Sequence, residues 1–325
     1  MSEKMTAKKS FDFGTFWKKY GTLTILFLMV GLIAVLKPSA IFTPTSVPQI
    51  LRQSAVNILL ALGEFFAILL GYIDLSVSAA CGLSGMVAAI AMVQWGLPWI
   101  IACLLGVLAG TLIGAITGAL ITKTGLHPFI ITLGTQTIYF GVMLVISDAK
   151  NIYGFPASFS SFISYDIAGF LPVSALIALL VAVVLWFVTS RTKVGRNLYA
   201  LGGNRDAAWY SGIDVKRHQM VAYMISGTCA GLAGIVLMGR LNAAAPTAGT
   251  GYETYAIAAT IIGGTSFFGG VGKIPGVVVG GLIIGLINYG MTVLMIPSAI
   301  QKVVMGLLII IAVTLDHLVS SAPKK

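Results

Sequence analysis

Two carboxylates, Glu64 and Asp74, lie within or beside hydrophobic stretches of the 325-residue chain. An acid in hydrocarbon is costly, and it indicates either a proton or solute pathway or a specific structural contact. Asp74 precedes Ser76 and a hydrophobic segment, which favours a helix cap at the start of that segment over a proton relay. Glu64 has no local partner in the sequence, so a proton relay, a water-filled pathway and a helix–helix hydrogen bond all stay open.

The other reactive residue types form no recognisable active site. Cys81, Cys103 and Cys229 are scattered among hydrophobic segments and the three histidines form no ligand pair, so we expect no disulfide framework and no metal site. The segment GGTSFFGGVGKIPG at 263–276 lacks the first glycine and the hydroxyl residue of a phosphate-binding loop. We therefore expect no enzyme activity, no cofactor and no ATP binding in this chain.

Composition places these residues in a membrane protein. Charged residues make up 9% of the chain, hydrophobic residues make up 58%, and the mean hydropathy is +0.97. Long hydrophobic runs predict helices, because helices satisfy their own backbone hydrogen bonds in lipid. We therefore predict an all-α polytopic membrane fold with about ten transmembrane helices. They lie near 21–36, 52–73, 76–94, 98–122, 128–147, 171–190, 219–239, 255–270, 274–295 and 299–316.

Basic residues orient the predicted helices. All but five of the twenty Lys and Arg residues fall on one side of a ten-helix arrangement, and basic residues favour the cytoplasmic side. Both termini are therefore expected in the cytoplasm, as tails at 1–20 and 317–325 around a single transmembrane domain at 21–316. This topology accounts for the net charge of +10, and no motif for nucleic-acid binding accompanies it.

Two pairs of similar segments indicate an internal repeat. Gly71-Tyr72 followed by Asp74 resembles Gly251-Tyr252 followed by Glu253, and GTLIGAIT at 110–117 resembles GLIIGLIN at 281–288. Five predicted helices separate the members of each pair, so the repeat would be inverted, five helices plus five, as in many transporters. Glycines also recur at every fourth position from 106 to 118, which predicts close helix packing.

The longest polar connection spans 191–218 and contains the segment GGNRDAAWYSG at 202–212. Asn204 is a suitable N-cap, Asp206 favours the first turn, and Gly212 favours helix termination, so the sequence predicts a short helix over 204–211. Trp209 and Tyr210 are then exposed aromatic residues. They either bind a protein partner or lie among lipid headgroups.

Four ordered segments resemble the permeases of the ribose-type simple-sugar importers, which are bacterial ABC transporters. The segments are GYIDLSVSA at 71–79, TGLHPFIITLGT at 124–135, TKVGRNLYALGGNRDAAWYSGI at 192–213, and PTAGTGYETYAIAATIIGGTSFFGGVGKIPGVVVGG at 246–281. The resemblance covers the chain from about Phe42 to Asp316. The third segment resembles the Glu-Ala-Ala, three residues, Gly motif by which such permeases engage their ATPases. Asp206 replaces the more usual Glu, and Tyr72 stands where glycine is common.

The resemblance implies the import of a pentose or hexose from periplasm to cytoplasm across the bacterial inner membrane. It also implies a homodimer, a periplasmic sugar-binding protein, and a cytoplasmic ATPase with two fused nucleotide-binding cassettes that holds ATP and Mg. The implied ATPase-coupling residues are Arg196, Asn204, Asp206, Ala207, Ala208, Trp209 and Gly212. Asp74, Gly251, Glu253, Gly269 and Gly270 belong to the family motifs as structural residues.

Four polar residues in predicted helices are candidates for the sugar pathway: Asn57, Glu64, Gln136 and Asn288. The alternative function is an ion-coupled secondary transporter that uses Glu64. That alternative requires a paired intramembrane relay, and Glu64 stands alone. A membrane-embedded enzyme would require clustered nucleophiles, metal ligands or acid–base pairs, and the sequence contains none of these patterns.

Overall fold

The structure is a computed structural model that describes residues 13–321, with the backbone alone for residues 13–20, 315 and 317–321. Residues 1–12 and 322–325, which belong to the two predicted tails, lie outside the described residues. The first helix begins at Phe13 and the last ends at Ser321, so helices extend into both predicted tails.

The described residues form thirteen α-helices and one two-stranded sheet. A π-helical turn at Ile90–Gln94 extends the third helix. The elements are α1 (Phe13–Leu36), α2 (Ser46–Leu69), α3 (Val77–Ala89), α4 (Trp99–Thr124), α5 (Pro128–Ile146), α6 (Ala157–Ser164), β1 (Asp166–Ile167), β2 (Leu171–Pro172), α7 (Val173–Arg191), α8 (Lys193–Gly203), α9 (Arg205–Tyr210), α10 (Val215–Leu241), α11 (Tyr252–Ile262), α12 (Ile274–Val293) and α13 (Ser298–Ser321).

Ten of these helices correspond to the ten predicted spans. Among the described residues, seven helices are long and apolar enough to cross a membrane: α2, α3 with its π turn, α4, α5, α7, α10 and α12. α1 and α13 contain shorter apolar stretches at Gly21–Leu36 and Ser298–Thr314, and α11 is the tenth helix. The all-α polytopic fold is therefore confirmed.

The predicted span at 255–270 is wrong in its second half. α11 ends at Ile262, and residues 263–273 form an irregular segment in which Gly264, Gly269 and Gly270 have positive φ angles. At a rise of about 1.5 Å per residue, α11 covers about 16 Å, which is roughly half of the hydrocarbon thickness. Hydropathy does not reveal this break because the irregular segment carries no charge before Lys273.

α2 and α10 form the centre of the bundle and pack against each other. α4 packs along α10, whereas α12 packs along α2. α3 likewise contacts α10, and α11 contacts α2. In each half of the chain, two helices therefore pack on the central helix of the other half: α3 and α4 on α10, and α11 and α12 on α2. The similar segments found in the sequence occupy corresponding places. One pair lies in α4 and α12, and the other lies just before α3 and at the first turn of α11, which is the arrangement that an internal repeat produces.

Glycines bring the central helices too close together for side chains to intervene. A Cβ atom at Gly110 of α4 would lie 2.8 Å from the Gly231 Cα of α10. A Cβ atom at Gly285 of α12 would lie 2.7 Å from the Ser54 Cα of α2. The four-residue glycine spacing in α4 therefore serves helix packing, as the sequence predicted.

The connection between α5 and α7 falls between the predicted spans at 128–147 and 171–190, and it contains α6 and an antiparallel hairpin formed by β1 and β2. Arg52, near the start of α2, forms an ion pair with Asp166 of β1 at 2.7 Å and donates to the Ser164 carbonyl at 2.7 Å. We call this the hairpin end of the bundle. The other end of α2 meets residues 191–214, and we call that the loop end.

Candidate coupling surface and buried polar network

The short helix predicted in the polar connection is present as α9, which spans Arg205–Tyr210. The Asn204 side chain accepts a hydrogen bond from the Ala207 N–H at 2.9 Å, as expected of an N-cap. Asp206 lies in the first turn, where its charge faces the positive end of the helix dipole. Gly212 follows the helix with a φ of +81°. The helix and its boundaries are confirmed, and its coupling role stays a prediction.

The outer face of α9 carries two aromatic rings. Trp209 and Tyr210 are 60% and 81% exposed and pack edge to face at 4.8 Å, whereas Ala208 is buried against the bundle. A groove of about 490 Å³ separates α9 from the start of α10, and Arg205 and Lys216 line it. An exposed aromatic pair beside a polar groove is compatible with both alternatives, a protein interface and a position among lipid headgroups.

A further helix, α8 (Lys193–Gly203), precedes α9 in the same polar connection and was not predicted from the sequence. Its apolar residues Leu198 and Leu201 are buried, and the Thr192 side chain caps its first turn. A threonine followed by apolar residues at helical spacing is a recognisable signal for such a helix. Arg196, one of the implied coupling residues, lies on the exposed face of α8.

Two of the segments that carry the family resemblance, at 192–213 and 246–281, meet the end of α2 at the loop end. The Gly270 N–H donates to the Leu69 carbonyl at 2.9 Å, and the Tyr199 hydroxyl donates to the Gly272 carbonyl at 2.8 Å. A Cβ atom at Gly202 would lie 2.6 Å from the Gly270 nitrogen. The ends of α2 and α8 and the irregular segment after α11 therefore share a close backbone contact that tolerates no larger residue at Gly202.

Glu64 and Asp74 belong to one buried network. Glu64 is fully buried in α2, and its Oε1 accepts the Asp74 N–H at 3.0 Å. Asp74 Oδ2 accepts from the Ser226 hydroxyl of α10 at 2.7 Å, and its Oδ1 accepts from the Ser76 N–H at 3.0 Å. The network ties the α2–α3 connection to both central helices.

These contacts revise two interpretations of the sequence. Asp74 does bond to Ser76, but Ser76 is itself the N-cap of α3 and makes no side-chain capping bond. The interpretation of Asp74 as a cap is therefore incomplete, since its second oxygen serves α10. Glu64 does have a partner close in sequence. That partner was hidden from pattern reasoning because it is a backbone N–H, which every residue except proline carries.

The four candidate pathway residues share no hydrogen bond with one another. Gln136 donates to the Ser78 hydroxyl at 3.1 Å and joins α5 to α3. Asn57, Glu64 and Asn288 are buried, and each retains one polar atom without a hydrogen-bond partner, Nδ2, Oε2 and Oδ1 respectively. Other buried polar side chains of the described residues, such as Ser84 and Tyr223, share this property, so it does not by itself distinguish a sugar pathway.

The start of α11 carries the other two family-motif residues outside the loop end. Gly251 is the N-cap of α11 with a φ of +84°, and Glu253 lies in its first turn. Glu253 Oε2 also lacks a hydrogen-bond partner.

Within residues 13–321, no group of three His, Cys, Asp or Glu side chains is placed to hold a metal ion. The three cysteines are free.

One contact at the loop end joins two residues from distant parts of the chain. The Arg205 guanidinium of α9 donates to the Tyr72 hydroxyl in the α2–α3 connection. The two residues are 133 positions apart in the chain. No signal in a single sequence pairs them.

A family model described as the permease component of branched-chain amino acid transport systems matches residues 46–313. The chain belongs to this permease family. The features described above are therefore those of a transport subunit: ten hydrophobic helices, the short α11 with its irregular continuation, and the polar loop end. No solved structure gives a significant match to the permease.

The curated relatives of the permease are sugar transport proteins. It is 53% identical over 320 residues to the D-allose transport system permease protein of Escherichia coli (strain K12), with 98% of each chain covered. It is 43% identical to the ribose import permease protein of Bacillus subtilis (strain 168), with 96% of this chain and 97% of the relative covered. It is 34% identical to the galactose/methyl galactoside import permease protein of Escherichia coli (strain K12), with coverages of 97% and 98%.

These findings confirm the resemblance to ribose-type sugar importers of the ABC class. The permease is a multi-pass membrane subunit of such an importer. The relatives support this function over the ion-coupled alternative that would use Glu64.

Proposed function

We propose that the permease imports an aldose of five or six carbons, with D-allose as the first candidate, and that ATP hydrolysis in a separate chain drives the import. The observation that carries the proposal is the 53% identity to the D-allose permease over 98% of both chains. The ribose and galactose relatives, at lower identity, extend the substrate class to related sugars.

Buried polar groups support a pathway for a neutral polyol. α11 gives way to an irregular segment midway along its predicted span, and discontinuous helices of this kind form substrate sites in many transporters. Asn57, Glu64 and Asn288 hold unpartnered polar atoms within the helices, and Gln136 lies on α5. Amide and carboxyl groups can both donate to and accept from sugar hydroxyls when the acid is protonated. We assign these four residues to the pathway.

We assign the contact with the ATPase to α9 and the residues around it. The assignment rests on the exposed Trp209 and Tyr210, the open groove beside them, and the Asp-Ala-Ala, three residues, Gly pattern that ends at Gly212. The coupling set is Arg196, Asn204, Asp206, Ala207, Ala208, Trp209 and Gly212. A helix held in a groove of the ATPase can convert ATP-driven movement of that chain into rearrangement of the bundle.

The complete importer then contains two copies of the permease, an ATPase with two fused cassettes that binds ATP and Mg, and a periplasmic sugar-binding protein. The loop end faces the cytoplasm, because most of the basic residues lie there or at the termini. The hairpin end faces the periplasm and the binding protein. The permease lies in the inner membrane with both termini in the cytoplasm.

Uptake of radiolabelled D-allose tests the proposal in cells that lack their own sugar importers and express the permease with its ATPase and binding protein. We expect uptake that ceases when ATP is depleted and persists when a protonophore collapses the proton gradient at constant ATP. Loss of uptake with the protonophore alone would establish ion coupling instead. Absence of uptake for D-allose, ribose and galactose alike would refute the assigned substrate class.

Trp209→Ala tests the ATPase contact, with Trp95→Ala at the hairpin end as a matched control, since the two tryptophans are 60% and 63% exposed. Loss of an interface anchor typically weakens binding by about tenfold or more. We expect co-purification of the ATPase to fall for Trp209→Ala and to stay unchanged for Trp95→Ala. Equal retention by both variants would move the contact away from α9.

A further inference from the structure

Tyr72 joins more elements of the loop end than its place in a short connection requires. Its hydroxyl accepts a hydrogen bond from Arg205, the first residue of α9, and another from the Gln219 side chain of α10 at 3.4 Å. Its ring packs edge to face on His127, the N-cap of α5, with centroids 6.1 Å apart. One side chain in the α2–α3 connection therefore contacts the starts of α5, α9 and α10.

The backbone beyond Tyr72 enters the buried acid network directly. Two residues later, the Asp74 N–H binds Glu64 of α2, and the Asp74 carboxylate binds Ser76 at the start of α3. The same carboxylate binds Ser226 of α10. All of these groups are buried, so the connection has few alternative conformations. A displacement of Tyr72 consequently either moves the start of α3 or breaks the hydrogen bonds of Asp74. Water cannot replace those bonds, because the groups that form them are buried.

We propose that Tyr72 is a positioning residue that transmits movement of α9 to the start of α3 through the Arg205–Tyr72 hydrogen bond. The proposal rests on the function proposed above, in which α9 docks on the ATPase. α8 contacts the end of α2 through backbone at Gly202. Because this contact leaves no space between the two backbones, α8 and the end of α2 move together. The side-chain bond to Tyr72 is a separate link that belongs to α9 itself, and it can be removed without altering backbone packing.

Tyr72→Phe removes the hydroxyl and retains the ring against His127. Arg205→Gln removes the charged donor of the same hydrogen bond. Because Arg205 is exposed on α9, we expect this variant to assemble with its partners even if Tyr72→Phe assembles poorly. Tyr165→Phe is the control, because Tyr165 is an exposed tyrosine at the hairpin end. A hydrogen bond of this kind typically changes an equilibrium by about threefold to tenfold.

The measurement is sugar imported per ATP hydrolysed by purified importer in proteoliposomes, with the binding protein and D-allose, or the aldose that the binding protein retains. We expect Tyr72→Phe and Arg205→Gln each to lower this ratio by about threefold to tenfold, and the double variant to lower it no further. Tyr165→Phe is expected to match the unmodified permease. ATPase co-purification should be unchanged for Tyr72→Phe.

The ratio separates coupling from folding, because a merely structural defect lowers import and hydrolysis together with the amount of assembled importer. An unchanged ratio for both Tyr72→Phe and Arg205→Gln would overturn the proposal. So would additive losses in the double variant, since they would show that the two residues act independently. Cross-linking from Tyr210 to the ATPase tests the underlying function separately: its failure would refute docking of α9, whatever the ratio shows.

Discussion

Gly212→Val is the sharpest perturbation of the proposed coupling helix. Gly212 ends α9 with a φ of +81°, a conformation that glycine adopts freely and a β-branched residue adopts only under strain. No atom lies within 4 Å of the position that a Cβ would occupy. The substitution therefore introduces no steric clash with neighbouring residues, and its whole effect comes from the backbone conformation.

Because backbone strain is the only effect of Gly212→Val, its size sets the expected loss of ATPase binding. An L-residue in the left-handed region costs about 1–2 kcal/mol. In the free permease the exposed turn can relax, but docking on the ATPase requires the turn to recover its shape. The strain then weakens docking, and 1–2 kcal/mol corresponds to about a fivefold to thirtyfold increase in the dissociation constant. Gly212→Asn should change it by less than about threefold, because asparagine tolerates this region.

The assay is a titration of the detergent-solubilised permease with its purified ATPase, followed by sugar uptake in cells. Gly203→Val is the matched control, because Gly203 is the last residue of α8, is equally open, and has no positive φ. We expect binding and uptake to fall together for Gly212→Val and to stay near the unmodified level for the other two variants. Equal affinity for Gly212→Val and Gly203→Val would refute the reasoning.

Three further predictions follow from the structure. Glu64→Gln keeps the oxygen that accepts the backbone N–H, so ATP-driven uptake should remain largely intact; complete loss in an assembled Gln variant would argue for proton coupling. Gly110→Val forces a side chain into the backbone of α10 and should destabilise the permease by about 1–3 kcal/mol or more, seen as a lower melting temperature, whereas Gly134→Val, in open surroundings, should not. A cysteine at Ser158 should react with an impermeant reagent in whole cells and one at Gly203 should not, and the opposite pattern would reverse the proposed topology.

Local signals in the sequence predicted much of the architecture. Hydrophobic runs identified ten helices, because burial in lipid requires long apolar segments that satisfy their own backbone. Asn204 and Gly212 located both ends of α9, since capping depends on one side chain and one left-handed turn. The four-residue glycine spacing in α4 predicted its close packing correctly, although the partner helix could not be named.

The break after Ile262 was the main error in the predicted helices. Residues 263–270 are apolar or small, so their composition is compatible with a membrane helix. The structure places this segment against the ends of α2 and α8, where backbone contacts replace the helical hydrogen bonds. Whether residues 263–270 form a helix or an irregular segment therefore depends on contacts with α2 and α8, which are remote in the sequence.

The sequence by itself determined the class of protein, the number of hydrophobic helices and the short capped helix at the loop end, because each of these depends on residues close together in the chain. Only the tertiary structure decided the partners of Glu64, Asp74 and Tyr72. Asp74 meets Ser226 across 152 positions, and Tyr72 meets Arg205 across 133. Such pairs form when packed helices bring distant polar groups to hydrogen-bonding distance, and a buried group must take whichever partner the packing supplies.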